Sequence, residues 1–135
     1  MAASALENVA AERDAGGMST SAIPAEALRP FASKTMKFEG ADHGSEISFF
    51  YVDNEPGQGP GLHRHPYTET WMVVSGEATI RIGDDTIVAH DGDTAVVGAM
   101  VWHGFTNTGT GALRIMCIHA SPRIIQEFQE GEPFT

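Results

Sequence analysis

Cysteine is almost missing from this chain. The single Cys117 excludes an internal disulfide framework and fits a reducing compartment. Basic residues are scarce as well: eight Lys and Arg stand against eighteen Asp and Glu, for a net charge of −10. Nucleic acids and anionic membranes are gripped by clustered Lys and Arg, so neither is an expected partner. No apolar run approaches the length of a membrane span, and repeats and low-complexity tracts are absent. Met1 to Met18 carries Glu7, Glu12 and Asp14 and lacks the basic start, apolar centre and cleavage pattern of a secretory signal, so the expected location is cytoplasmic. With 135 residues the chain can build one domain with a real core, but not two.

What the sequence does contain is concentrated between Gly57 and Gly76. A strand sends alternate side chains to one face, so His63 and His65 project together while Arg64 points the other way. Pro66 cannot donate to a ladder and is expected to end that strand. Thr68 to Ser75 then reads as a second strand that delivers Glu69 near its start. Two imidazoles and a carboxylate converge, a donor set suited to divalent Fe, Mn, Co, Ni or Zn.

The remaining stretches frame this motif. Residues 1–30 read as a tail, mobile or packed on a partner, in which alanine-rich Ala2 to Ala15 could form a short helix stopped by Gly16-Gly17. Residues 31–135 read as the single domain. Ile23 to Lys37 is expected as a loop or short helical turn leading into the first strand. Ser45 to Val52, Glu77 to Ile82, Thr86 to Ala89, Thr94 to Val97, Val101 to Thr106 and Ala112 to Ala120 are strand-like, separated by turn clusters such as Gly83-Asp84-Asp85. Short strands at this spacing predict an all-β barrel or sandwich. After Pro122, the spacing of Ile124, Ile125 and Phe128 predicts a short C-terminal helix.

Gly57, His63, His65, Glu69 and Gly76 resemble the first motif of the cupin superfamily at every specified position. Gly92, His103 and Asn107 are similar to part of its second motif, with Gly98 and Met100 standing where that motif has proline and glycine. The resemblance runs from about Ser45 to Ala120. It implies a small double-stranded β-helix, or jelly-roll, barrel with one divalent transition metal held inside by His63, His65, Glu69 and His103. Iron, manganese or nickel are favoured over zinc, cobalt or copper. Small barrels of this family frequently pair, so a homodimer is expected, with Phe31 to Phe38 as its candidate edge segment.

Other residues have plainer readings. His43 and His90 lie in turn-like segments and read as solvent-exposed. His119 shares strand parity with Ile115 and Cys117, and either enters the barrel as an acid–base or supporting group or caps the strand near Pro122. Trp71 and Phe105 share parity with Glu69 and His103 respectively, which makes them, with Tyr51 and His119, candidates for lining a substrate cavity. Arg81 either anchors a substrate carboxylate or points to water. Cys117 reads as a packing residue, and no nucleophile–base pair is apparent. The expected function is metal-dependent catalysis on a small, hydrophobic or aromatic molecule, oxygenase chemistry slightly ahead of lyase, isomerase or cyclase chemistry. The alternative is a non-catalytic cupin that binds a sugar or metabolite.

Overall fold

The computed structural model describes residues 21–129. Ten strands form: β1 (Met36–Glu39), β2 (Ser48–Asn54), β3 (His63–Arg64), β4 (Glu69–Ser75), β5 (Glu77–Ile82), β6 (Asp85–His90), β7 (Thr94–Val97), β8 (His103–Asn107), β9 (Leu113–His119) and β10 (Glu127–Phe128). They assemble into two antiparallel five-stranded sheets, in the orders β1-β2-β9-β4-β7 and β10-β3-β8-β5-β6. This is the all-β jelly-roll class expected from the sequence.

Alternation builds the core. In β4, Glu69, Trp71 and Val73 point inward while Met72 and Val74 are exposed. In β9, Leu113, Ile115, Cys117 and His119 are buried. The inward apolar residues join Ala78, Ile80, Ala89, Val97 and Phe105 in one cluster between the sheets. Each fully buried Ile or Leu there stabilises the fold by roughly 1.5–3 kcal/mol.

Turn chemistry sets the corners. Gly76 sits at φ +103°, and a Cβ there would lie 2.7 Å from the Ala112 carbonyl oxygen, so only glycine joins β4 to β5 without strain. Met100, which stands where the resembling motif has glycine, takes the same left-handed region at φ 63°. Its amide donates to the His65 carbonyl at 2.7 Å, which fixes the strained turn against the segment carrying a site histidine.

Ala25–Leu28 and Pro30–Ala32 are single 3-10 turns, matching the loop or helical turn expected before β1. The helix considered for Ala2 to Ala15 lies outside the described residues, as does most of the tail.

The C-terminal helix is not found among the described residues. Glu127 and Phe128 form β10 instead, paired in register with Arg64 and His63. Barrel groups claim the backbone of this segment: Ile125 N–H donates to the Tyr67 hydroxyl at 3.1 Å, the Ile125 carbonyl accepts from His65 Nδ1 at 2.8 Å, and Gln129 N–H reaches the Leu62 carbonyl at 2.9 Å. An edge of β3 that would otherwise be bare is covered, which outweighs the helical spacing of the side chains.

Gly59 packs against β8 so closely that an added Cβ would overlap the Phe105 carbonyl oxygen, whereas Gly111 has nothing within 4 Å of its would-be Cβ. Gly59→Ala is expected to lower stability by about 1–3 kcal/mol. Gly111→Ala should stay within about 0.5 kcal/mol of the parent. Urea unfolding of both variants checks this, and equal midpoints would contradict the close approach.

Candidate metal centre

Three short elements deliver the four residues singled out in the sequence. His63 on β3 lies directly across the ladder from His103 on β8. His65 follows at the end of the same extended stretch, and Glu69 opens β4. All four are buried, and one ligand atom from each lies within 4.8 Å of the others.

The backbone fixes which nitrogen each imidazole turns inward. His63 Nδ1 lies 2.7 Å from the Gly61 carbonyl oxygen, His65 Nδ1 lies 2.8 Å from that of Ile125, and His103 Nδ1 lies 2.8 Å from that of Val101. A carbonyl oxygen only accepts, so each Nδ1 must carry the proton. In the neutral ring Nε2 then presents a lone pair. His65 Nε2 and His103 Nε2 stand 3.1 Å apart, and each lies about 3 Å from Glu69 Oε1, at 2.9 and 3.0 Å. Lone pairs facing one another and a carboxylate repel unless a cation lies among them. This arrangement of imidazoles locked by second partners is what a divalent metal requires, so the donor set fits such an ion.

Glu69 is almost fully buried. Desolvation pushes its pKa up, and the imidazoles of His103, His119 and His65 outweigh this and hold the carboxyl below the usual carboxylate range only where they turn an N–H rather than a lone pair toward it. Trp71 Nε1 also donates to Oε2 at 2.6 Å. Burial drives the His63 pKa down to about 4 against the opposing bond to Gly61, which keeps that ring neutral and able to ligate. Burial likewise raises the Tyr67 hydroxyl to about 12 and the Cys117 thiol well above its ordinary value, so neither ionises easily.

A cavity of about 580 Å³ opens onto this cluster. Glu69, His63, His119 and Phe105 reach it, together with Phe50, Val52, Cys117 and Phe128. His119 and Phe105, two of the residues singled out in the sequence, are thus among its lining residues. Trp71 does not line the cavity: its indole is 1% exposed and packs edge-on against Phe105 and His103, supporting the carboxylate from behind. Tyr51 does not line it either, because alternation along β2 sends Phe50 and Val52 inward and Tyr51 to the opposite face. Arg81 turns outward, its Nε 3.1 Å from the Gly83 carbonyl. His43 and His90 are exposed as expected. Asn107 is buried but structural, donating to the Asn54 and Gly111 carbonyls at 3.0 and 2.9 Å.

Sequence reasoning missed Tyr67, whose hydroxyl lies 2.6 Å from His119 Nδ1. Its parity with His65 and Glu69 was the available signal, obscured by the proline beside it.

The cupin domain family model matches residues 43–119. Among curated proteins, the alginate biosynthesis protein AlgA of Pseudomonas aeruginosa is 26% identical over 112 residues, which cover 82% of this chain but 22% of the relative. This chain thus spans about a fifth of that protein's length. A Klebsiella pneumoniae protein with a double-stranded β-helix domain superposes at a TM-score of 0.64 and 22% identity, covering 82% of this chain and 93% of that one. A Bacillus subtilis oxalate decarboxylase with Mn(II) centres superposes at 0.69 and 21% identity, over 77% of this chain and 30% of its own. These structural likenesses are likenesses of fold.

A linkage follows from the neutral His63. Between its ordinary pKa of 6.5 and its folded value of about 4, the unfolded chain takes up a proton that the folded chain refuses. Stability of the metal-free protein should therefore fall as the pH drops through that window, by on the order of 2–3 kcal/mol. Urea midpoints of chelator-treated protein at pH 7 and pH 4.5 measure the effect, and equal values would contradict a buried neutral His63.

Proposed function

The chain belongs to the cupin domain family, and on that premise we propose that it is a metal-dependent enzyme acting on a small, hydrophobic or aromatic organic molecule. The observation that carries this reading is the union of two features. Four buried ligand atoms lie within 4.8 Å of one another, and a 580 Å³ cavity with Phe50, Val52, Phe105 and Phe128 in its wall opens on them.

His63, His65, Glu69 and His103 would hold the ion, with iron, manganese or nickel ahead of zinc, cobalt or copper. A bound ion would polarise a ligand oxygen as a Lewis acid or, if redox-active, bring dioxygen and substrate together. The chain supplies the rest. Carbonyls of Gly61, Ile125 and Val101 orient the imidazoles, and Trp71 steadies Glu69. The aromatic wall would seat an apolar body against the open side of the site. Oxygenase chemistry is our first reading, ahead of lyase, isomerase or cyclase chemistry, because a chamber whose exposed surface is mostly apolar suits dioxygen and an aromatic substrate together.

Oxalate, the substrate in the name of several structural relatives, fits less well. A dianion needs paired cations, and the lining contains no arginine among the described residues; its lysine, Lys34, already lies 3.5 Å from Glu55. A non-catalytic role in binding a sugar or metabolite, which the alginate relative brings to mind, is the second reading. A polyhydroxylated ring wants many hydrogen-bonding partners, and the inner wall here is mostly apolar.

We also read the protein as a cytoplasmic homodimer. Met72 (43% exposed), Val74 (42%), Val96 (62%) and Ile118 (37%) crowd the outer face of the sheet containing β4, β7 and β9. A second copy of the same face would cover them, with Phe31 to Phe38 at its margin. Val96→Asp should convert the dimer to a monomer at micromolar concentration in analytical ultracentrifugation, whereas a wild type that sediments as a monomer removes this reading.

The enzymatic reading is tested by elemental analysis and oxygen uptake on purified protein. About one ion per chain is expected, lost in His103→Ala, with oxygen consumption by the iron form in a panel of phenolic and diketone compounds. A wild type that retains no ion after reconstitution overturns the metal reading. Full ion content without turnover of any compound favours the binding module.

A further inference from the structure

One buried polar side-chain atom beside the site makes no hydrogen bond among the described residues: Nε2 of His119. The residue is 1% exposed, lies directly across the β4–β9 ladder from Glu69, and lines the cavity. Its other nitrogen, Nδ1, is 2.6 Å from the Tyr67 hydroxyl oxygen.

The partners of Tyr67 decide where the protons lie. The tyrosine oxygen accepts the Ile125 N–H at 3.1 Å. The Ile125 carbonyl, 3.4 Å away, already accepts His65 Nδ1 at 2.8 Å. Of the two acceptors within reach of the hydroxyl proton, His119 Nδ1 at 2.6 Å is far closer than the Ile125 carbonyl, so the hydroxyl donates to His119, and a neutral imidazole that accepts at Nδ1 carries its own proton on Nε2. Glu69 Oε2 lies 3.2 Å from that Nε2. A lone pair there would be repelled by the carboxylate and an N–H is attracted, though the two are too poorly aligned to hydrogen-bond. His119 is therefore the opposite tautomer from His63, His65 and His103.

From this we infer that His119 is a donor rather than a fifth ligand, and that its Nε2–H binds an anionic oxygen of the molecule in the cavity. The inference rests on the metal reading above and narrows the substrate class. One carboxylate and three neutral imidazoles around a divalent ion leave a single positive charge, and the other charged side chains of the lining among the described residues are paired, Lys34 with Glu55 and Asp53 with Arg114. A monoanion with an apolar body, such as an aromatic carboxylate or a phenolate, matches both the charge and the wall of Phe50, Phe105 and Phe128.

Benzoate is a suitable probe. In protein labelled with 15N-histidine, long-range proton–nitrogen spectra read every tautomer directly, in both the metal-free and the zinc-loaded form. His119 is expected with its proton on Nε2 and the three ligand histidines with theirs on Nδ1, and benzoate should shift the His119 Nε2 resonance. By calorimetry on zinc-loaded protein, His119→Gln, which keeps an N–H in the same place, should hold benzoate within about threefold of wild type. His119→Leu should weaken it tenfold or more. Tyr67→Phe should cost His119 its single tautomer. A His119 protonated on Nδ1, a wild type that does not bind benzoate, or a His119→Leu variant that binds it as well as wild type each overturns the inference. Loss of the metal reading shows separately, as a wild type that retains no zinc, and the tautomer is then still read in the metal-free spectra.

Discussion

A carboxylate buried at 2% exposure has to be paired, and Glu69 is the group to which this interior is fitted. Its Oε1 faces His65 and His103, and its Oε2 takes the indole N–H of Trp71 at 2.6 Å beside His119. Trp71 belongs at the same time to the apolar cluster, edge-on to Phe105. One side chain thereby ties the position of the carboxylate to the packing of the core. The site is accordingly a continuation of the barrel interior, and a change in core volume near Trp71 would be transmitted to the carboxylate without touching a ligand.

Much of this could be read from the sequence because period-two alternation is strongest where it matters. Glu69, Trp71 and Val73 on one strand and Ile115, Cys117 and His119 on another identify their inward faces, and the predicted strands at 77–82 and 94–97 coincide with the observed ones. Parity, however, gives the face and not the depth. Trp71 and Phe105 both point inward, yet the cavity reaches Phe105 and stops short of Trp71. For Tyr51 parity is no guide, since the sequence of β2 is apolar on both faces and offers no alternation to choose between Phe50 and Tyr51.

The C-terminal segment shows where local reasoning ends. Ile124, Ile125 and Phe128 are spaced as a helix would space them, and nothing nearby in sequence argues otherwise. What decides the outcome is the two-residue strand β3, whose exposed edge gains a ladder partner only if Glu127 and Phe128 are extended. Propensity is a weak preference here, and pairing at long sequence distance overrides it.

That choice reaches the chemistry. His63 and His103 are each oriented by a carbonyl two residues before them, Gly61 and Val101, so their tautomers are set locally. His65 has no such neighbour and depends on the Ile125 carbonyl, while the Ile125 amide holds the tyrosine that faces His119. A single residue far along the chain, through its amide and its carbonyl, thus reaches two of these four histidines in opposite senses. Through the carbonyl it turns His65 into a lone-pair donor for an ion. Through Tyr67 it leaves His119 with a proton to offer. The difference between imidazoles that turn a lone pair into the cluster and one that turns an N–H into the cavity is in this way tied to the hydrogen bonds of an extended segment that contributes no side chain to the cluster.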